Sequence, residues 1–260
     1  MTTVSYALQD SATMLRRNVR HMARYPSMTI LLVGMPVVLL LLFVYVFGGT
    51  LGAGLGGGRD AYLEFVTPGI MLITIASAAQ GTAISVATDM TEGIIARFRT
   101  MAISRASVLT GHVVGTLVQT MLALAVVTGV AVLLGFRPTA DAVEWLAAIG
   151  LLAGFTFAIT WLSVALGLVS GSVETASNLP MFLMLLPFLG SGFVPTDSMP
   201  TALRWFAEYQ PFSPVIETLR GLLLGGPIGS DGVLAVAWTA GIALFGYVWA
   251  KRLYERRAIR

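Results

Sequence analysis

Cysteine is absent from the 260 residues, and lysine occurs once, at Lys251. The first absence removes disulfide and thiol chemistry and leaves the redox compartment open. The second leaves no Gly-x4-Gly-Lys-Ser/Thr loop, so the chain builds no phosphate cradle for a nucleotide of its own. Charge is scarce too: 11 % of residues are charged and 56 % are hydrophobic, against roughly 25 % charged in an ordinary soluble domain. Six stretches, 28–47, 66–88, 108–134, 145–170, 178–194 and 233–250, hold no Asp, Glu, Lys or Arg. A charge at the bilayer centre costs about 3 kcal/mol even on lenient insertion scales, so these stretches read as membrane-spanning helices. The predicted fold is an all-α polytopic membrane protein, with residues 1–260 forming a single transmembrane domain. HExxH, paired intramembrane aspartates and GxSxG are all missing, which excludes the usual metal, acid-base and nucleophile constellations of an enzyme. An ion-coupled secondary transporter needs an ionisable relay inside the membrane. Within the six stretches only His112 qualifies, with no carboxylate among them to pair with, so it reads as a hydrogen-bonded interface residue.

Basic residues resist translocation, so their distribution orients the chain. With the N-terminus in the cytoplasm, 12 of the 16 basic residues fall inside: four before the first span, Arg97, Arg99 and Arg105 between the second and third, and five from Lys251 to the end. Only Arg59, Arg137, Arg204 and Arg220 fall outside, accompanied by eight of the 13 acids. The net charge of +3 therefore splits into +7 inside and −4 outside, placing both termini in the cytoplasm of a multi-pass cell-membrane protein. The high pI signals topology, and nothing further supports nucleic-acid binding. The first stretch lies behind 27 polar and basic residues and ends without a small-x-small site, so it reads as a retained span rather than a cleaved signal.

Residues 1–27 carry Leu8, Ala12, Leu15, Val19 and Met22 at helical spacing, with Arg16, Arg17 and Arg20 on the other faces. Such a helix either rests on anionic headgroups or docks a cytoplasmic partner, and Leu15 with the three arginines would form that docking face. Residues 48–58, GGTLGAGLGGG, lack a following lysine and a preceding strand and read as a flexible linker. Small and polar residues form stripes inside the spans: Thr74, Ser77, Gly81, Ser85 and Thr88; Gly111 and Gly115; Gly150 and Gly154; Ser163, Gly167 and Ser170. Such stripes either let helices pack closely or face a substrate path. Thr74, Ser77, Gln80 and Ser85, with Met181 and Met184 on the fifth span, are the candidate path.

The fifth span carries Pro180 and Pro187 and should bend. After it, residues 195–231 form an external hairpin. Ser213-Pro214 reads as a helix start and Gly225-Gly226-Pro227 as its stop, so residues 214–224 reach about 16 Å, half a bilayer core, as a re-entrant or interfacial helix. Residues 199–209, with Trp205, Phe206 and Tyr209, would be its interfacial partner.

Between spans two and three, residues 89–105 form an internal loop in which Ile94, Phe98 and Met101 share one helical face, with Arg97 beside it. That face either lies on the membrane or enters a groove on another protein. The run Gly93-Ile94-Ile95-Ala96-Arg97-Phe98-Arg99, then Ile103-Ser104-Arg105, closely resembles the coupling segment of ABC-2 type transporter permeases, above all the daunorubicin and doxorubicin resistance branch. Gly190-Ser191-Gly192-Phe193-Val194-Pro195, Gln210-Pro211-Phe212-Ser213-Pro214 and Glu217 to Leu223 resemble the same family's fifth-span exit and external hairpin. The family often has Pro where Ala102 stands, an acid near Ala96, and Asn at Gln210.

The resemblance implies the permease subunit of a drug or antibiotic exporter and not an enzyme itself. A second permease, identical or paralogous, and two copies of a separate ATPase carrying ATP and Mg would complete it. Glu92, Gly93, Ile94, Arg97, Phe98, Arg99, Met101 and Arg105 would couple to the ATPase, and Pro211, Pro214, Glu217 and Arg220 would form an external gate. Exporters of lipid-linked glycan or lipid share the family, so cargo stays open between these and hydrophobic or amphipathic compounds. No cofactor or metal is expected on this chain.

Overall fold

Five of the six charge-free runs lie in long helices. The computed structural model describes residues 26–91 and 105–257. Residues 1–25 and 92–104, which include the expected N-terminal helix and most of the coupling segment, lie outside the described residues. All regular structure among the described residues is helical, and five of the helices are long and apolar enough to cross a membrane.

Helix α1 (Pro26–Leu42) passes through a π-helical turn, Phe43–Phe47, into α2 (Gly48–Gly54). The expected flexible linker is thus largely helix. A Cβ on Gly52 would overlap the backbone of Gly58, so glycine here permits a close chain reversal rather than mobility. The turn uses positive φ at Gly56 (79°) and Gly58 (67°).

Helix α3 (Gly58–Thr91) is the axis of the bundle, packing on α1, α2 and five later helices. Twenty of its residues are buried, including Pro68. Proline removes one backbone donor there, and the Thr67 hydroxyl donates to the Leu63 carbonyl in the same turn at 2.6 Å. Helices α4 (Arg105–Leu134) and α5 (Ala142–Val169) follow. A capping box starts α5: Asp141 Oδ1 accepts from the Glu144 amide and Glu144 Oε2 from the Asp141 amide, both at 2.8 Å. The last helix, α10 (Asp231–Arg257), lies chiefly along α5 and outruns the expected 233–250, because charges at its end sit beyond the apolar run without breaking the helix.

The expected fifth span, 178–194, is not one helix. It comprises α6 (Val173–Asn178), α7 (Met181–Leu185) and a run of turns to Phe193, broken where Pro180 and Pro187 stand. Its path is fixed at both ends against α3. Gln80 Nε2 donates to the Ser177 carbonyl at 2.8 Å, and the Tyr62 hydroxyl to the Phe193 carbonyl at 3.2 Å. Those contacts lie eighteen residues apart on α3, about 27 Å of helix.

A 3-10 turn (Thr196–Ser198) leads into the hairpin of α8 (Thr201–Tyr209) and α9 (Phe212–Leu224). Helix α9 buries nine of its 13 residues between α3, α5 and α10. It begins at Phe212, not at Ser213-Pro214, and ends at Gly225, whose φ of 75° is the left-handed stop. Helix α8 stays outside, with Leu203, Trp205, Phe206 and Tyr209 exposed.

Candidate functional site

Three parts of α3 carry the candidate residues. At the hairpin end, the Gln210 side chain stands in for the missing cap of α9: Oε1 accepts from the Phe212 amide at 2.9 Å. Its Nε2 donates to the Leu186 carbonyl (3.1 Å) and the Ser213 hydroxyl (2.9 Å), and that hydroxyl accepts from the Ser191 amide (3.1 Å). A Cβ on Gly190 would overlap both side chains, which accounts for the glycine in that motif. Arg220 completes the clasp. Its Nη1 donates to Glu217 at 2.6 Å, its Nη2 to the carbonyls of Ser191 (2.9 Å) and Phe65 (3.1 Å), and its guanidinium lies 4.0 Å from the Phe65 ring centroid. One side chain thereby joins α3, the broken segment and α9. Pro211 precedes α9 and Pro214 is buried in its first turn. On the exposed side, the Glu208 hydrogen bond and the Asp197 carboxylate push the Arg204 guanidinium above its ordinary pKa. The Trp238 indole N–H donates to the Tyr209 carbonyl at 3.0 Å, anchoring α8 to α10.

In the middle of α3, the expected stripe divides. Thr74 is fully buried and its hydroxyl donates to the Ile70 carbonyl at 2.9 Å. Ser77 and Gln80 are half-buried, Gly81 and Ser85 are exposed, and a Cβ on Gly81 would meet nothing within 4 Å. A partly open, small-featured strip therefore runs down the middle of α3. Gln80 borders it through its bond to Ser177, while Met181 is exposed and Met184 half-buried on the neighbouring segment. The stripe on α5 behaves differently. A Cβ on Gly167 would come within 2.6 Å of the Ala83 carbonyl, so that glycine is spent on close α3–α5 packing.

At the other end of α3, the Thr82 and Thr116 hydroxyls meet at 2.8 Å, and Asp89 Oδ2 lies 3.0 Å from His112 Nε2. The pair corrects the reading that no carboxylate was available to His112. Asp89 belongs to α3 rather than to the loop, and both side chains are about nine-tenths enclosed. The imidazole and the carboxylate share one hydrogen bond between the two helices. Sequence reasoning missed the pair because its members stand 23 positions apart, although an acid just below one apolar span and a histidine in the next were both visible. Beneath it, Arg105 opens α4, while Glu92, Gly93, Ile94, Arg97, Phe98, Arg99 and Met101 lie outside the described residues, as do Leu15, Arg16, Arg17 and Arg20.

Residues 10–224 match the sequence profile of the ABC-2 type transporter family. The chain belongs to that family. It is similar to the "Daunorubicin resistance ABC transporter permease protein DrrB1" of Streptomyces coeruleorubidus, 28 % identical over 252 residues covering 96 % of this chain and 88 % of the relative. It is also similar to the "Probable doxorubicin resistance ABC transporter permease protein DrrC" of Mycobacterium tuberculosis, 27 % identical over 233 residues covering 89 % of this chain and 84 % of the relative. Membership makes this a membrane-integral transport subunit, with its apolar helices as the membrane domain.

Proposed function

We propose that this permease is the transmembrane subunit of an ATP-driven exporter that moves hydrophobic or amphipathic compounds out of the cell. A second permease copy or paralogue and two copies of a separate ATPase, the chain that binds ATP and Mg, complete the machine. One observation carries the reading: a single helix, α3, holds the open strip of Ser77, Gln80, Gly81 and Ser85 and runs at its lower end into the 92–104 loop. A push delivered to residues 92–104 would act on the helix that carries the strip. The relatives' names supply the cargo class.

In this reading the loop and both termini face the cytoplasm, the hairpin faces outward, and the segment 173–194 makes the sixth crossing alongside α3. The roughly 27 Å between its two anchor points on α3 supports that crossing, being close to the thickness of a bilayer core. Phe98 is the apolar anchor that enters the ATPase, and Arg97 pairs with an acidic rim on it. The Asp89–His112 pair does supply an ionisable group near the membrane. Its place at the loop end, below the open strip, favours a mechanical role over an ion-coupled one.

The test uses the purified permease–ATPase complex with Phe98→Ala and a panel of amphipathic drugs, lipids and glycolipids. Loss of drug-stimulated ATP hydrolysis in the variant is the expected result. Unchanged stimulation and subunit association would remove the coupling assignment, and a parent complex that responds only to glycolipids would replace the drug reading.

A further inference from the structure

Residues 92–104 join α3 to α4, and those helices must move together if a displacement applied there is to travel upward. Two helices held only by apolar contact can slide or rotate against each other, dissipating a push applied at their shared end. Here they are pinned by polar contacts at two levels, Thr82 to Thr116 and Asp89 to His112. The lower pin lies three residues before residue 92 on α3 and seven residues into α4. On α4 the groups come from one face, since His112, Thr116 and Thr120 are spaced four apart; Thr116 reaches Thr82 there, and the Thr120 hydroxyl is buried. Around the pair, Val86, Leu109, Val113, Val164, Leu168 and Tyr254 form a core cluster separate from the main one. That cluster draws α5 and α10 onto the same level.

We infer that the Asp89–His112 pair is a positioning clasp, which makes α3 and α4 one lever so that ATPase movement applied to residues 92–104 reaches the transport path. The inference rests on the proposed function for its purpose but not for its geometry. A hydrogen bond of 3.0 Å in a site one-tenth exposed has a single favoured arrangement, so it fixes both the axial register and the relative rotation of the helices.

The test takes the full permease–ATPase complex in proteoliposomes with Asp89→Asn, His112→Gln and the exchange Asp89→His/His112→Asp. Each single variant is expected to keep complex assembly and the KM for ATP while lowering drug transport per ATP at least about five-fold. The exchange is expected to recover half or more of it. Single variants that transport within two-fold of the parent, or that lose assembly and transport in parallel with no recovery in the exchange, overturn the clasp. A second readout stands apart from transport. The chain is free of cysteine, so spin labels at Thr91→Cys and Leu122→Cys, both exposed, report the α3–α4 register directly. One narrow distance distribution in the parent that broadens in Asp89→Asn supports the clasp, and identical distributions overturn it. If the parent complex shows no ATP-driven transport, the proposed function fails while the spin-label result still decides the clasp.

Discussion

Replacing Arg220 by methionine keeps the apolar stem and deletes the fork that joins three elements. Lost with it are the 2.6 Å bond to Glu217, the bonds to the carbonyls of Ser191 and Phe65, and the contact with the Phe65 ring. Three charge-assisted bonds at about 1.5 kcal/mol each would suggest more than 4 kcal/mol, with the ring adding about 0.5. Two effects reduce that figure. The Arg220 side chain is 17 % exposed and must be desolvated to sit there, and Glu217, 35 % exposed, regains water once abandoned. A net loss of about 2–3 kcal/mol remains, enough to lower the melting temperature of the purified permease by roughly 5–10 °C. Thermal unfolding in detergent measures this. Ser191→Cys in the same background reports the location of the loss, because Ser191 is buried and its thiol should react with a maleimide only when the hairpin loosens. A melting temperature within about 1 °C of the parent, with Ser191→Cys still protected, would refute the reasoning.

Two further substitutions separate packing from path. Gly69→Val places a Cβ 2.5 Å from the Gly192 carbonyl and 2.9 Å from its Cα, backbone that cannot yield. A loss of about 1–3 kcal/mol or more is expected, read as a lower melting temperature. Gly81→Leu meets open space, so the melting temperature should hold while drug-stimulated ATP hydrolysis changes, and stimulation identical to the parent would count against the strip as a path.

Five of the six apolar runs were legible as long helices because membrane burial forbids charge, a rule that one sequence displays without an alignment, whereas the run 178–194 is broken at its prolines. The ends of the long helices were less legible. Arg59, Asp60 and Glu64 lie within α3, and Lys251, Arg252 and Glu255 within α10, since a helix continues freely once it leaves the apolar layer. The glycine run 48–58 misled because composition cannot distinguish a glycine needed for freedom from one needed for contact, and Gly52 is of the second kind. The hairpin was read nearly in place from its turn residues. Its start moved to Phe212 because Gln210, rather than Ser213, supplies the cap. The Asp89–His112 and Arg220 contacts escaped because each depends on which residues of separate helices share a level, and no sequence window reports that.

In the proposed cycle an outside ATPase drives this permease. Inverted membrane vesicles holding the permease with its ATPase partner, assayed for uptake of a fluorescent amphipathic drug, test it most directly. The account predicts uptake with ATP and none with a non-hydrolysable analogue, with the permease alone, or with a proton gradient in place of ATP. Uptake by the permease alone under a proton gradient would contradict it.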